Sequence, residues 1–545
     1  MAAARGAAPV LDHLFPVAIQ SGSTQTVAAI GQFDPWPPQV WVDSPGIRFE
    51  SETNRGKFRV EVAAHLPAGP HLVRLFNKVG ASGPRFLIVT RDPQLAEIEP
   101  NDDFTQPQVL SHLPAELNGC LEKSGDVDSF GVGLAAGQTL IASVEAYTLA
   151  SPLDAVLRLV DARGVQVASN HDDGRTFDPL LTWTAGAAGT YVLQLFGFAY
   201  PAGSDVRFTG NSKCVYRLHV SGGPWLRYTV PLGVRRGGRT VLRPTGWNLG
   251  STPVSPREFD GAALPAQATE AFVSLPGFGN MLKLPVGDGP ELLEQEMAPL
   301  TNGVIQLHPP CAVTGCLEKP GEQDRFSFAA KKGGKLLFAV TSASLGFLID
   351  ALIKIEDAQG KEAAKSDDSS NADPSLEWTP TEDGTFFARV SNVLHRGDAE
   401  SLYRLSIRPA IPSWKATVAA QAFVFKAGET NEIKVNVKRL HGFKSKLTLS
   451  LQGLPEGVQA GPTEVPGDGG EVPLKLILPS SAKSFNGPIR IVVTPESGEA
   501  RAAIFELITS GVDNGVPNGF NHLVIESTED LWLTVLPEEP KKGHE

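Results

Sequence analysis

Glu97-Ile98-Glu99-Pro100-Asn101-Asp102-Asp103, followed by Gly125-Asp126-Val127-Asp128-Ser129-Phe130, heads the part of the chain that decides the fold. The first segment is short and acidic. The second closes on the start of a strand. Behind them come Thr139-Leu140-Ile141-Ala142-Ser143-Val144, Ala155-Val156-Leu157-Arg158-Leu159-Val160, Leu180-Leu181-Thr182-Trp183, Thr190-Tyr191-Val192-Leu193-Gln194-Leu195 and Cys214-Val215-Tyr216-Arg217-Leu218. Short runs rich in β-branched and aromatic residues fit a pleated, half-buried surface. The turns Asp161-Ala162-Arg163-Gly164 and Asn170-His171-Asp172-Asp173-Gly174 separate them. Asp and Asn hydrogen-bond their own backbone there, and Gly tolerates positive φ. Glu97 to about Val220 therefore reads as one all-β module.

Further along, the same order returns. Gly119-Cys120-Leu121-Glu122-Lys123 matches Gly315-Cys316-Leu317-Glu318-Lys319, and Leu153-Asp154-Ala155 matches Ile349-Asp350-Ala351, both at a spacing of 196 residues. Asp172-Asp173 answers Asp367-Asp368 one residue out of step. Tyr216-Arg217-Leu218 answers Tyr403-Arg404-Leu405 at a shorter spacing, because the loop Phe196 to Lys213 is longer in the first copy. A nearly fixed offset that breaks mainly at a loop tip marks a duplicated module. The segment before each module also repeats: Phe15-Pro16-Val17-Ala18 resembles Val230-Pro231-Leu232-Gly233. Period-2 alternation over residues 11–93 suggests an Ig-like sandwich.

The predicted organisation is all-β: an Ig-like sandwich over 11–93, a large β-sandwich over 94–221, a small Ig-like sandwich over 225–290, a divergent large sandwich over 291–410, an Ig-like sandwich over 412–510, and C-terminal strands with a charged tail over 511–545.

Composition narrows the function. Gly 55 and Pro 43 against Met 3 suit strands and turns rather than long helices. The formal net charge of -12 argues against nucleic acid, which needs a basic footprint. No run of about 18 apolar residues occurs, so no membrane span is expected. The start, Met1 to Val10, has no long apolar core and is not a complete secretory signal, which leaves a cytoplasmic protein or an exported one without its leader; the Ala-rich start and the tandem β modules favour the second, secreted or at the cell surface. The four cysteines allow bridges Cys120–Cys214 and Cys311–Cys316, one of three pairings, or four reduced thiols.

On Glu99-Pro100-Asn101-Asp102, Gly125-Asp126-Val127-Asp128-Ser129-Phe130, Ser151-Pro152-Leu153-Asp154, Asp172-Asp173, Gly189-Thr190-Tyr191 and Tyr216-Arg217-Leu218, residues 94–221 resemble a bacterial pre-peptidase C-terminal domain, a jelly-roll-like sandwich. Residues 291–410 resemble a more divergent member. The resemblance implies company with secreted peptidases, and a related collagen-binding module implies calcium and peptide binding.

The candidate metal ligands are Glu97, Glu99, Asn101, Asp102, Asp126 and Asp128. In an extended segment Glu97, Glu99 and Asn101 share one face, as do Asp126 and Asp128. Folded together they offer carboxylates and an amide oxygen, and Ca²⁺ takes 6–8 oxygens. In the second copy Glu294 and Glu296 remain, but Met297-Ala298-Pro299 replaces Pro-Asn-Asp and Glu322 replaces the first Asp, so that copy is expected to have lost the site. Asp154, Asp172, Asp173 and Asp178, recurring as Asp350, Asp367, Asp368 and Asp373, read first as turn formers, with a second cation or ligand site at one end of the sandwich as the alternative. Trp183 and Trp378 read as core; Trp36 and Trp247 follow turns and are the better candidates for an exposed platform.

No His-Glu-x-x-His and no Gly-x-Ser-x-Gly occur, so no catalytic residues are assigned. The expectation is a non-catalytic exported binding, adhesion or spacer protein whose partner is an extracellular protein or polysaccharide. An accessory component of a secreted peptidase system and a glycosidase-like enzyme are the alternatives.

Overall fold

A computed structural model describes residues 7–174, 176–199, 208–250, 254–265, 268–300, 303–367, 373–510 and 522–538. Asp368, the middle of the loop Phe196 to Lys213 and most of the charged tail lie outside them. The described residues form strands and three single-turn 3-10 segments, with no α-helix among them. The fold is a series of tandem β-sandwiches.

The first sandwich packs Val10–Phe15, Thr24–Gln32, Lys57–Val62 and Ile47–Ser51 against Ala18–Gln20, Arg85–Thr90, Gly69–Asn77 and Gln39–Val42. Lys57–Val62 alternates exposed and buried along its length, the pattern of a sheet wet on one side. Trp36 is not an exposed platform. Its ring packs against Phe33 and Phe58, and its indole N–H donates to the Glu52 carbonyl at 3.2 Å. A large apolar ring beside a core edge is better buried once its one donor is satisfied.

The large module is two five-stranded sheets. One runs Gln94–Ala96, Ala115–Cys120, Val215–Ser221, Thr139–Glu145, Leu180–Thr184. The other runs Gln108–Val109, Asp128–Leu134, Gly189–Ala199, Leu153–Val160, Gln166–Asn170. The duplicate repeats this order strand for strand: Glu291–Leu293, Cys311–Cys316, Leu402–Pro409, Leu336–Thr341, Ser375–Trp378 over Ile305–Gln306, Gln323–Ala330, Gly384–Asn392, Ala351–Glu356, Glu362–Ser366. Each has its own core, around Phe130, Leu157 and Tyr216 in the first and Phe326, Ile353 and Tyr403 in the second. Trp183 and Trp378 meet Tyr191 and Phe386 edge to face at 4.7 Å in each, against those cores.

Between them, Trp225–Val230, Arg239–Trp247 and Arg257–Asp260 face Val234–Arg235, Met281–Gly287 and Glu270–Ser274 around a small core of their own. Both small sandwiches grip the following large module alike. The Ala18 amide donates to Asn118 Oδ1 at 2.9 Å, and the Leu232 amide to Thr314 Oγ1 at 3.0 Å. Asn118 and Thr314 are equivalent positions of the repeat.

In the last sandwich Leu531–Leu536 pairs with Ala422–Lys426 and with Phe485–Pro495. The sequence reading set this strand apart at 511–545, yet it is an interior strand of the sheet. A strand whose partners lie far earlier in the chain carries no local signal of where it pairs. The buried Trp532 meets Phe76 and Trp41 of the first sandwich at 4.9 and 6.1 Å, and Arg74 donates to the Asp530 carbonyl at 3.3 Å. First and last sandwiches are thus in contact.

All four cysteines are free thiols. The bridged reading is therefore corrected: Asn211 interposes between Cys120 and Cys214, its carbonyl 3.5 Å from one sulfur and its amide 3.3 Å from the other.

Candidate metal centre

Three pieces of backbone converge on the acidic cluster. Glu97 extends the strand Gln94–Ala96, its N–H bonded to the Asn118 carbonyl at 3.1 Å. The next amide, Ile98 N–H, donates to Gln108 Oε1 at 2.8 Å, which ties the segment across the module edge. Asp126 sits in a turn closed onto the Lys123 carbonyl, and Asp128 opens the strand Asp128–Leu134. Alternation along that strand puts Asp126 and Asp128 on one side.

The inner half holds Glu97, Asp128 and Tyr216. Glu97 Oε1 accepts the Cys120 N–H at 3.0 Å, and Oε2 accepts the Tyr216 hydroxyl at 2.8 Å. The same hydroxyl contacts Asp128 Oδ2 closely. Gly119 lies under this junction: a Cβ there would overlap the Tyr216 phenol and Glu97 Oε2. That close approach explains the glycine of the Gly-Cys-Leu-Glu-Lys motif. Gly315 stands in the same relation to Tyr403 and Glu294.

The outer half holds Glu99, Asp102 and Asp126, one oxygen of each lying within 4.8 Å of the others. Glu99 departs from the expected shared face. Its carboxylate folds back to accept the Asn101 N–H at 3.0 Å, so it stands at the rim while Asn101 turns inward. Asp126 Oδ2 accepts the Glu122 and Lys123 amides at 2.5 and 3.3 Å. Lys123 Nζ bridges Asp102 at 2.8 Å and Asp126 Oδ1 at 3.5 Å.

Asn101, Asp126 and Asp128 are each at most 1% exposed. Yet Asn101 Oδ1 and Nδ2, Asp126 Oδ1 and Asp128 Oδ1 have no hydrogen-bond partner. Unpaired buried polar atoms each cost about 1–3 kcal/mol, more when charged. The electrostatics register this. Burial, with Glu97 beside it, pushes Asp128 up to about 10, and burial pushes Asp126 up to about 6. Burial also raises Glu97. Asp102, bonded to the Lys123 ammonium, is held below the usual carboxylate range. A hard divalent cation would satisfy these oxygens together. The donors are oxygens alone, which suits Ca²⁺ and not a metal that prefers thiolate or imidazole. Tyr216 and Lys123 are functional neighbours to which the sequence reading gave no role, although both lie in repeated motifs, Tyr216-Arg217-Leu218 and Gly119-Cys120-Leu121-Glu122-Lys123.

In the duplicate, Tyr403 donates to Asp324 at 2.6 Å and Glu294 accepts the Cys316 N–H at 3.3 Å. Glu322 turns to the Lys319 amide, and Glu296 pairs with Arg243. Burial raises Glu294 to about 7 and Asp324 to about 6. Only the inner half of the arrangement is present there.

Two of the other recurrent acids, Asp178 and Asp373, cap turns. Asp178 accepts the amides of Ala146, Tyr147 and Thr148 at 2.7–3.0 Å, capping a 3-10 turn. Asp373 does the same for Ser342, Ala343 and Ser344. Asp154 and His171 form a partly exposed pair at 2.9 Å. Trp247 is half-buried, with the Arg227 guanidinium 5.8 Å from its ring centroid.

No family model matches the chain. A probable subtilase-type serine protease of Deinococcus radiodurans is 36% identical over 99 residues, 18% of this chain and 14% of the protease. The chain thus spans only a small part of that relative. Among solved structures, the pre-peptidase C-terminal domain of a Bacillus anthracis collagenase overlays 19% of this chain and 94% of its own at 12% identity and a TM-score of 0.17. A tetra-tandem repeat from the extending region of a large adhesion protein covers 90% of this chain and 97% of its own at 9% identity and a TM-score of 0.12. No helix among the described residues is long and apolar enough to cross a membrane.

Proposed function

We propose that the chain is an exported, non-catalytic binding or adhesion protein, in which residues 94–221 form a calcium-stabilised module of pre-peptidase C-terminal type. The observation that carries the cation is the set of four buried polar atoms on Asn101, Asp126 and Asp128 that make no hydrogen bond, of which only Asp126 Oδ1 has an ion-pair contact, with Lys123 at 3.5 Å. A folded protein rarely leaves such atoms without hydrogen bonds, and a cation removes the cost at all of the oxygens at once. Serial sandwiches with separate cores suit presentation and spacing of surfaces rather than assembly of one catalytic cleft.

The test is sedimentation of the full chain with insoluble collagen and with insoluble polysaccharides, in calcium and in chelator. Calcium-dependent retention on one of them supports the reading. Turnover of a peptide or glycan panel by the purified chain would refute the non-catalytic part.

The similarity to a subtilase-type protease over 99 residues favours one second reading, an accessory component of a secreted peptidase system. Co-purification of a protease with the chain from culture medium separates it from the first.

A further inference from the structure

A cavity of about 480 Å³ opens beside the acidic cluster, lined by Asp102, Asp103, Phe104, Arg158, Val160 and Gln194. Its one cation is Arg158; of its two acids, Asp102 is paired with the Lys123 ammonium at 2.8 Å and Asp103 accepts the Thr105 N–H at 2.8 Å. The guanidinium donates to Gln194 Oε1 through Nε at 3.1 Å and Nη2 at 2.8 Å, and lies 5.1 Å from the Phe196 ring centroid. It makes no ion pair among the described residues. An arginine usually meets a carboxylate in a planar fork; here a neutral amide occupies part of the fork.

The duplicated module shows what has changed. There the equivalent of Arg158 is Lys354, paired with Glu362 at 3.5 Å. The equivalent of Gln194 is Arg389, paired with the buried Glu356 at 2.9 Å. Both acids are gone from the first module: Val160 stands for Glu356 and Gln166 for Glu362, at the same strand register. Of the duplicate's two ion pairs, one is replaced whole by the neutral Gln194 and Val160, and the other keeps its cation as Arg158 but has Gln166 in place of the acid, with an open cavity beside it.

Hydrogen bonds link this guanidinium to the metal centre. Gln194 Nε2 donates to Ser129 Oγ at 3.1 Å, and the Ser129 N–H donates to the Asn101 carbonyl at 3.1 Å. Gln194 is 5% exposed and Ser129 is fully buried, so the relay is held rigidly. Phe104 follows the ligand segment Asn101-Asp102-Asp103 directly and forms the apolar wall of the cavity.

We propose that this cavity is a binding site for a carboxylate group carried on an apolar or aromatic stem, with Arg158 as its charge anchor and Phe104 and Val160 against the stem. The carboxylate supplies the counter-ion that the duplicate obtains from Glu362. It comes either from a small organic acid or from an acidic side chain of a peptide. Ordering of Asn101 by the cation reaches Arg158 through Ser129 and Gln194, so carboxylate binding strengthens when calcium is present. This last coupling rests on the calcium reading; the carboxylate site does not.

The probes are benzoate, its neutral isostere benzamide, and a blocked peptide Ac-Gly-Phe-Glu-Phe-Gly-amide with its Gln counterpart, titrated calorimetrically into the full chain at low ionic strength. Benzoate is expected to bind at least tenfold more tightly than benzamide. Arg158→Met loses at least tenfold, and Arg158→Lys recovers part of it. Gln166→Glu installs on an exposed position the acid that pairs Lys354, and weakens benzoate several-fold with the fold untouched. If the Glu peptide outbinds benzoate and its Gln counterpart does not bind, the natural source is a polypeptide; if benzoate matches the Glu peptide, it is a small acid. Equal binding of benzoate and benzamide, no binding by any carboxylate probe, or full affinity in Arg158→Met overturns the site. Equal benzoate affinity in calcium and in chelator, on a protein that calcium stabilises, removes the relay alone. No thermal response to calcium, with charge-dependent benzoate binding intact, removes the cation and leaves the carboxylate site standing.

Discussion

Calcium binding at Glu97, Glu99, Asn101, Asp102, Asp126 and Asp128 is predicted to displace protons, and the size of the effect follows from the burial of Asp128. Without a cation, burial and the neighbouring Glu97 hold Asp128 at about 10. At pH 7.5 its carboxyl is therefore protonated, and a cation that uses this oxygen must expel that proton. One proton released per ion makes the apparent Kd fall about tenfold per pH unit, or ~1.4 kcal/mol. Between pH 6.5 and 8.5 that is about a hundredfold. Asp126, raised to about 6, adds a second proton at the acid end of this window.

The cation-free protein must behave in the opposite sense. The folded pKa of Asp128 lies above the unfolded value of about 3.9. Its stabilising contribution is thus complete below about pH 4 and is lost as pH rises toward 10. Melting in chelator should fall with pH, melting in calcium should stay level, and the calcium increment should widen. At a hundred times Kd the increment is worth about 2.7 kcal/mol. The assay is thermal melting of the full chain at pH 6.5, 7.5 and 8.5 in calcium and in chelator. Calorimetry in two buffers of different protonation enthalpy counts the protons. Asp128→Asn, which resembles the protonated acid, should abolish the calcium increment while leaving the chelated melt intact or raised at pH 8.5. An increment equal at all three pH values, or no proton release, refutes the reasoning.

Further outcomes rest on other contacts. Gly119→Ala should destabilise the first large module by about 2–3 kcal/mol, because its methyl overlaps the Tyr216 phenol and Glu97 and overpacking carries that penalty; denaturant unfolding followed by fluorescence reads it. Asp178→Ala strands three amides and should cost about 2–3 kcal/mol, whereas Asp154→Ala, at a partly exposed pair, should cost under about 1 kcal/mol; the same denaturation series compares them. Arg74→Ala removes a fully buried cation from the junction of the first and last sandwiches, and small-angle scattering should show a larger radius of gyration if that contact holds the ends together.

The sequence determined the β-architecture and the duplication. Strand runs punctuated by Gly, Pro and Asp specify pleated sheets locally, and a fixed 196-residue offset is visible without any contact map. It also placed the six acidic and amide side chains in two short segments, since carboxylates concentrated at a sheet edge are a local pattern. The tertiary structure alone decided which of them turn inward. Glu99 is pulled to the rim by the Asn101 amide, and Tyr216 arrives from 119 residues beyond Glu97 and 88 beyond Asp128 to bridge the two. Likewise the sequence shows Val160 and Gln166 only as ordinary strand residues. Pairing of Leu153–Val160 with Gln166–Asn170 and Gly189–Ala199 is what leaves Arg158 beside an open cavity with no ion pair among the described residues. Strand pairing is non-local, so the chemistry that depends on which side chains face each other across sheets is invisible until the chain has closed.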